Sequence, residues 1–268
     1  MLKKKIIFGG GLHRSGTSLL HEILRSHPEV SGFENTGVPE DEGQHLQTVY
    51  LPAKAFGRPG SFGFNKMAFM DENHPLATEK SSEKIFQEWS KYWDLNCQFL
   101  IEKSPPNLLR TRFLQKIFPN SFFIIILRHP IAVSYATRKW STERVTILLE
   151  HTLRCYEQFR KDMPYLSNVY VLRYEDFVAN PNQIVHDLFT WLDLEPIKLD
   201  RQIKQDVNSK YFDAFMTDQL TLRRRLDLIL QGSLRRFEDR ANIFGYSLKS
   251  LEDLLEVSWL GASNRLFS

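Results

Sequence analysis

A glycine-rich turn between an apolar strand and an amphipathic helix is the feature that most constrains this fold. Residues 6–8 read Ile-Ile-Phe, a run typical of a short buried strand, and three glycines follow at residues 9–11. Apolar residues then recur at helical spacing from Leu19 to Leu24. A loop between such a strand and helix offers successive backbone N–H groups and a helix N-terminus, which together bind anions. The N-terminal part therefore predicts an α/β fold with a site for a phosphate-like group.

The rest of the chain continues to alternate between strand and helix signals. Apolar runs at residues 99–101, 122–127 and 169–172 predict buried strands, with a helix through residues 109–117 between the first two. A cap residue followed by proline predicts a further helix that starts at Pro181. This alternation predicts a P-loop-type parallel β-sheet flanked by helices, in a single domain of 268 residues.

Residues 37–82 do not fit this alternation. They hold many of the glycines and prolines, show weak periodicity and carry four phenylalanines that look exposed: Phe56, Phe62, Phe64 and Phe69. A long irregular stretch inside a compact domain is usually functional or disordered. We therefore predict that residues 37–95 form a substrate-side insertion or lid, with a simple surface insertion as the alternative.

Composition excludes several classes of function. The formal net charge of +3 is too small to predict a nucleic-acid partner. The two cysteines form no CxxC pair and the histidines show no metal-ligand spacing, so we predict no zinc site and no other metal. No apolar run approaches the roughly 20 residues of a membrane helix. We therefore expect a cytoplasmic protein without a transmembrane segment.

The glycine-rich loop at residues 11–18 departs from the pattern of nucleoside triphosphatases. Thr17 stands where that pattern has a lysine, which normally reaches the β and γ phosphates. The next predicted central strand ends in Arg128 rather than in an aspartate that would bind magnesium. The loop therefore fits a single phosphate-like group better than a magnesium-bound triphosphate, and Arg14 adds a cation beside that group.

A second anion site is predicted at the end of the strand at residues 122–127. Arg128 follows this strand, where open α/β sheets bind ligands. Ser134 and Arg138 lie four residues apart on the next predicted helix, hence on one face. Together these three side chains would bind a second phosphate by charge-assisted hydrogen bonds. The two sites indicate a ligand that carries two separated phosphate groups.

Five segments, whose combination and order along the chain are specific, resemble the sulfotransferases that use 3′-phosphoadenosine 5′-phosphosulfate (PAPS). They are the loop at residues 11–18 with His27-Pro28, which resembles the 5′-phosphosulfate loop; residues 122–134, similar to the 3′-phosphate motif; residues 172–177, similar to "RYEDL"; residues 101–105, similar to the "EKTP" of heparan sulfotransferases; and residues 244–246, similar to the closing "GY" element. The arginine-type loop is most similar to that of tyrosylprotein and bacterial sulfotransferases. The resemblance implies in-line transfer of a sulfuryl group from PAPS to a hydroxyl or amine.

The resemblance also implies roles for the residues that bind the cofactor. Arg14 is the candidate for stabilising the charge that develops during transfer, because preorganised donors aimed at such charge are usually the largest catalytic effect. The rest of the cradle comes from four loop residues: Ser15, Gly16, Thr17 and Ser18. Arg173 or Tyr174 is expected to contact the adenosine end, with simple packing of Tyr174 as the alternative. Ser233, with Arg235, falls where the family has a loop that closes over the cofactor.

The acceptor side requires a base for the acceptor's proton and a further cation. Lys103 is expected at the sulfuryl group or the leaving oxygen, with a surface ion pair as the alternative. Glu102 is the first candidate for the base, because its match in the heparan class is the catalytic glutamate. Glu34 resembles the position of the base in tyrosylprotein sulfotransferases, and a histidine such as His13 is a third choice. The acceptor itself stays open among saccharides, peptides, lipids and small metabolites.

Two other functions stay open at this point. One is an ATP-dependent kinase with a degenerate Walker A loop, which would need magnesium. The other is a non-catalytic nucleotide-binding module, in which the candidate bases would have no purpose.

Overall fold

The computed structural model describes residues 4–199, 202–223 and 230–264. Its sheet has six strands in the described part, and they run in the order β2-β3-β1-β4-β5-β6. The strands are β1 (Lys5–Gly10), β2 (Val30–Gly32), β3 (Phe99–Lys103), β4 (Ser121–Leu127), β5 (Asn168–Arg173) and β6 (Gly261–Asn264). Neighbouring strands pair in parallel except β6, which runs antiparallel to β5. The predicted α/β fold with a mostly parallel sheet is therefore confirmed.

Nine α-helices cover the two faces of the sheet in the described residues. They are α1 (Thr17–Leu24), α2 (Glu79–Trp89), α3 (Thr111–Ile117), α4 (Pro130–Thr137), α5 (Val145–Asp162), α6 (Tyr174–Ala179), α7 (Pro181–Trp191), α8 (Ser209–Arg223) and α9 (Leu230–Asn242). The helix predicted through residues 109–117 begins later, at Thr111, after a 3₁₀ turn at Pro105–Leu109. None of the described helices combines the length and the apolarity needed to cross a bilayer.

Successive residues of β1, β3, β4 and β5 contribute to two separate cores. Phe8 and Phe123 pack in one apolar cluster, whereas Ile7 and Ile124 pack in the other. All four are essentially inaccessible to solvent. Because side chains alternate along a strand, a sheet covered on both faces needs a nearly continuous apolar run. This is why the strands at the centre of the sheet were the easiest elements to predict.

The carboxyl ends of the central strands meet at one edge of the sheet. Gly9 of β1 lies opposite Lys103 of β3, and Leu127 of β4 lies opposite Arg173 of β5. The residues that follow β1, β3, β4 and β5 are therefore brought together. Ligands bind at this edge in open α/β folds.

The irregular segment at residues 37–95 is packed into the domain. It contains five 3₁₀ turns and α2, and Trp89 has no solvent-exposed surface. The four phenylalanines that look exposed in the sequence are not: Phe62 is fully buried, and Phe56, Phe64 and Phe69 are partly buried. That prediction was wrong because the segment covers the sheet and supplies one wall of the larger core. Its role as an acceptor-side lid stays a prediction.

Candidate active site

The loop after β1 has the backbone conformation that its glycines predict. Gly11 and Gly16 have φ values of 155° and 99°, and Arg14 between them has φ 69°. A Cβ atom on Gly11 would lie 2.5 Å from the carbonyl oxygen of Ile126, and one on Gly16 would lie 2.6 Å from Cδ2 of Tyr174. Only glycine fits at both positions without displacing its neighbours. The loop therefore brings its backbone against β4 and α6, as an anion cradle requires.

The side chains of the loop differ in their access to solvent. Arg14 and Ser18 are exposed, whereas Ser15 and Thr17 are buried. The guanidinium of Arg14 lies 5.2 Å from the ring centre of Trp140. Tyr211 also contacts this side chain: burial raises the pKa of Tyr211, but a hydrogen bond to Arg14 and the charge of Lys210 bring it below its ordinary value. Arg14 is thus the exposed cation of the loop, held by two aromatic residues.

Arg128 follows β4 directly and is largely buried. Its Nη1 donates to the carbonyl oxygen of Arg14 (2.6 Å), and its Nε and Nη2 donate to Oδ1 of Asn208 (2.8 and 2.7 Å). Its guanidinium also lies 4.2 Å from the ring centre of Tyr174 and 5.5 Å from that of Tyr211. The structure therefore joins the two predicted cationic sites, because the cation after β4 bonds directly to the loop after β1.

The other two residues predicted for the second anion site have their own partners. The Ser134 hydroxyl donates to the carbonyl oxygen of Pro130 (2.7 Å). Arg138 pairs with Asp218 of α8 (Nη1 to Oδ2, 3.1 Å), to which the Tyr135 hydroxyl also donates (2.8 Å). The shared contribution of Ser134 and Arg138 to a phosphate site stays a prediction.

Ser233 does not lie in a loop. Residues 230–242 form α9, so the prediction of a loop closing over the cofactor at Ser233 and Arg235 is wrong about the local structure. Apolar residues at helical spacing, including Phe237 and Ala241, are buried on one face of this helix. This packing explains why the segment is helical. The side chain of Ser233 lies outside the described residues, and its contact with a cofactor stays a prediction.

Lys103 ends β3 and is buried, so the alternative of a surface ion pair is wrong. Its Nζ donates to the carbonyl oxygen of Glu40 (2.8 Å) and lies 3.6 Å from Oε1 of Glu42. Only 3% of the residue is exposed. The charge of Lys103 also helps to lower the pKa of His13 in the loop, after the larger effect of burial. Lys103 therefore brings its charge close to the loop from the β3 side.

Glu102 has no exposed surface. Its Oε1 accepts hydrogen bonds from the Gly43 N–H (3.0 Å) and the Ser104 hydroxyl, and its Oε2 accepts one from Nδ2 of Asn107 (2.5 Å). Burial raises its pKa to about 7. These contacts enclose the carboxylate, and whether Glu102 takes the acceptor's proton stays a prediction. Side chains alternate along β3, so Glu102 and Lys103 point to opposite faces of the sheet.

The two remaining candidates for the base are also poorly suited. Glu34 is about half exposed and pairs with Arg25 at 2.5 Å, and this hydrogen bond lowers its pKa. Burial lowers the pKa of His13 to about 4, which makes its neutral ring a weak base. That ring packs edge-on against Phe62 and Trp140, with centres 5.9 and 6.4 Å apart. Whether either residue accepts the acceptor's proton stays a prediction.

Sequence reasoning missed two residues that border the site. Glu42 lies in the irregular segment and contacts Lys103, and Asn208 lies just before α8 and contacts Arg128. Neither belongs to a periodic element. The signal available for Glu42 was its position at the start of the run Glu42-Gly43-Gln44. This run lies inside a segment predicted to face the substrate.

Comparison with known proteins agrees with this geometry. Protein-tyrosine sulfotransferase 2 of Gallus gallus is 25% identical over 202 residues, which cover 70% of this chain. The chain spans half the length of that relative. Sulfotransferase STF9 from Mycobacterium avium superposes with a TM-score of 0.55 at 11% identity, covering 96% of this chain and 79% of that one.

A second solved structure, sulfotransferase STF1 from Mycobacterium tuberculosis, gives a TM-score of 0.53 at 16% identity, covering 88% of this chain and 77% of that one. At these identities the two structures show a shared fold. The kinase and the non-catalytic module are not favoured by any of these comparisons. The sulfotransferase family model matches residues 7–198, and the chain therefore belongs to the sulfotransferase family.

Proposed function

We propose that this protein transfers a sulfuryl group from PAPS to a hydroxyl or amine of an acceptor by in-line displacement. The contact between Arg128 and the carbonyl oxygen of Arg14 is the observation that supports this most. This contact joins the glycine-rich loop, which has no Walker A lysine, to the cation that follows the neighbouring strand β4. The two therefore form one site. A ligand with two anionic groups on one nucleoside suits such a site.

The residues present fit PAPS. The backbone at Gly11 and Gly16 approaches β4 and α6 so closely that a side chain would fill the space, which is typical of a phosphate cradle. Arg128 supplies a guanidinium fork suited to a phosphate, with the ring of Tyr174 against it. Residues 11–18 would hold the phosphosulfate and Arg128 the 3′-phosphate, and PAPS would supply the sulfuryl group.

Two cations serve the transfer itself. Arg14 is exposed, so its side chain is free to reach a ligand in the loop, while Trp140 restricts its orientation. Lys103 approaches the loop from β3 and is held by the Glu40 carbonyl. Cations fixed in advance stabilise negative charge that develops on the leaving oxygen without reorganisation at the moment of reaction. In this proposal no metal is required.

A peptide tyrosine is the acceptor to test first. The support is the name of the Gallus gallus relative, a protein-tyrosine sulfotransferase, together with its similarity over 70% of this chain. Saccharides, lipids and small metabolites are the other acceptor classes. A cytoplasmic location and the absence of a nucleic-acid partner stay predictions.

A thermal-shift titration tests the cofactor. We expect adenosine 3′,5′-bisphosphate to stabilise the protein without magnesium, by about 2.7 kcal/mol at a concentration 100 times its Kd. Radiolabelled PAPS is then incubated with a tyrosine peptide, a glucosamine saccharide and a lipid alcohol to detect transfer. Stabilisation by magnesium-bound ATP alone would point to the kinase, and bisphosphate binding without any transfer would point to the non-catalytic module.

A further inference from the structure

We propose, on the basis of the proposed function, that Glu42 is the base that accepts the acceptor's proton, and that Glu102 is a positioning residue that holds Glu42 beside Lys103. Neither role follows from the sequence motifs. Both follow from how the turn at residues 42–44 is fixed over the end of β3.

Glu42 lies beside Lys103, the cation that approaches the glycine-rich loop from β3. It is only 5% exposed, and its Oε1 lies 3.6 Å from Nζ of Lys103. Its Oε2 accepts a hydrogen bond from Nε2 of Gln44 (2.5 Å) and lies 3.9 Å from Nε2 of His45. The charges of Lys103 and His45 both act on His13 of the glycine-rich loop. Glu42 is therefore a buried carboxylate beside the cation that we assign to the sulfuryl group.

Glu102 fixes the turn that carries Glu42. Its Oε1 accepts the Gly43 N–H, and the Ser104 hydroxyl, which donates to the same oxygen, accepts the Gln44 N–H at 3.1 Å. On the other side of the turn, Nε1 of Trp89 donates to the carbonyl oxygen of Gly43 (3.0 Å). The turn and the carboxylate are in such close contact that a Cβ on Gly43 would lie 2.3 Å from Cγ of Glu102. The backbone next to Glu42 is thus held on both sides.

The proton and the electrons balance in the proposed step. The acceptor's O–H or N–H bond breaks and its proton forms a bond to a carboxylate oxygen of Glu42. The acceptor atom forms a bond to sulfur while the bond from sulfur to the bridging phosphate oxygen breaks. The electron pair of that bond stays on the leaving oxygen, where Arg14 and Lys103 stabilise it.

The surroundings of Glu42 suit a base better than those of Glu34. Burial raises the pKa of Glu42 above its ordinary value, an effect that the charge of Lys103 and the hydrogen bond from Gln44 oppose and that the nearby charge of Glu40 reinforces. The pKa of Glu34 is lowered instead by Arg25. A higher pKa makes a carboxylate a stronger base once it is ionised. Glu42 is also held in place by buried contacts, whereas Glu34 is half exposed.

The test compares Glu42→Gln with Glu83→Gln, a matched control that changes an exposed glutamate on α2 of the same segment. The wild-type protein is first assayed with the acceptor panel, and the best acceptor is used throughout. We expect Glu42→Gln to lose about 10²–10⁴-fold in turnover, the usual contribution of a general base. Its thermal shift with adenosine 3′,5′-bisphosphate should match that of the control, which shows that the variant is folded and binds nucleotide.

The pH profile and chemical rescue separate a base from a structural residue. A base must be ionised, so turnover of the wild-type protein should fall as the pH falls through the pKa of Glu42. This acid limb should be lost in Glu42→Gln and kept in Glu102→Gln. Added formate should restore part of the turnover of Glu42→Ala, because it supplies a carboxylate to the space that the side chain leaves.

Wild-type turnover in Glu42→Gln would overturn the proposal, and loss of turnover in Glu34→Gln beside it would assign the base to Glu34. An inactive wild-type protein that fails to bind the bisphosphate would instead contradict the proposed function, so the two failures are distinguishable.

Discussion

A glutamate holds each side of the candidate site, but the two glutamates have different surroundings. On the nucleotide side, Glu175 of α6 accepts hydrogen bonds from the His129 N–H (3.0 Å), Nδ2 of Asn208 (2.6 Å) and the Tyr246 hydroxyl (3.1 Å). On the acceptor side, Glu102 accepts hydrogen bonds from a backbone N–H, an asparagine and a hydroxyl in the same way. In both places a carboxylate fixes a polypeptide segment over the carboxyl edge of the sheet.

The two sides differ in where their cation lies. Asn208 bonds to both Glu175 and Arg128, so the nucleotide-side carboxylate and cation belong to one hydrogen-bond network. Lys103 lies on the opposite strand face from Glu102, and burial raises the pKa of Glu102 to about 7. We therefore expect the stability of the nucleotide side to depend on Arg128 and that of the acceptor side to depend on the protonation of Glu102.

The largest expected effect is that of Arg128→Ala. This substitution removes the cation from the hydrogen-bond network of Arg128, Asn208 and Glu175 and leaves the Glu175 carboxylate buried there. Removing one partner of a buried charged network costs about 3 kcal/mol of unfolding free energy. We expect this loss in urea denaturation, together with the loss of the thermal shift with adenosine 3′,5′-bisphosphate.

Arg128→Lys is the matched control, because it keeps the charge but not the planar fork. It should recover part of the stability and little of the nucleotide binding. A fully stable Arg128→Ala protein would show that the nucleotide side does not depend on its cation.

The second effect is that of Arg14→Ala on turnover. Removing one preorganised donor to developing charge costs about 10²–10³-fold in kcat. Because Arg14 is exposed, the free energy of unfolding should change by no more than about 0.5 kcal/mol. Steady-state kinetics and urea denaturation measure the two quantities, with Arg58→Ala as an exposed arginine control. A stability loss as large as that of Arg128→Ala would show that the two arginines are not functionally distinct.

The third effect is a change in how stability depends on pH in Glu102→Gln. The pKa of Glu102 is raised in the folded protein from 4.5 to about 7, so the folded state favours the neutral carboxyl. This contribution is complete below pH 4.5 and is lost as the pH rises through about 7. It amounts to about 3 kcal/mol at 1.36 kcal/mol per pKa unit.

The measurement is urea denaturation of both proteins at pH 5 and pH 8. The wild-type protein should lose more stability over this range than Glu102→Gln, and other titrating groups cancel in the difference. Equal losses in the two proteins would show that Glu102 is not the pH-sensitive contact of the acceptor side.

The smallest effect is that of Trp140→Ala. The ring lies under the guanidinium of Arg14 and is 41% exposed, and cation–π contacts at exposed sites contribute about 0.5–1 kcal/mol. We expect a loss of a few-fold in turnover and no change in bisphosphate binding. A loss equal to that of Arg14→Ala would mean that Trp140 fixes the position of this cation and does more than assist it.

The sequence was sufficient for the elements whose signal is local. The apolar run at residues 122–127 and the glycines of the loop predict β4 and the cradle, because burial on both faces and positive φ restrict the residues that fit. Arg14 was found because it lies in the glycine-rich loop after β1, and Arg128 because it follows β4 directly. Their contact follows from the register of β1 and β4, which pair as neighbours.

The acceptor side was harder to predict for a physical reason. Glu102 and Lys103 are adjacent in the chain, and strand alternation sends one side chain into the core and the other toward the loop. Glu42 reaches Lys103 from a segment without periodicity, so no pattern in the sequence relates the two. The charge-rich stretch at residues 194–250 predicts helical structure, in agreement with α9, whereas the loop at Ser233 was implied only by the resemblance.

The bonds that Arg128 already makes determine how a ligand would be received there. Its Nε and Nη2 both donate to one amide oxygen of Asn208, whereas a phosphate would offer these two donors two separate oxygens. An incoming phosphate would therefore displace the neutral Asn208 amide from the guanidinium and would not meet unbonded N–H groups. The number of hydrogen bonds would hardly change, and selectivity would come from charge, which favours an anion over an amide.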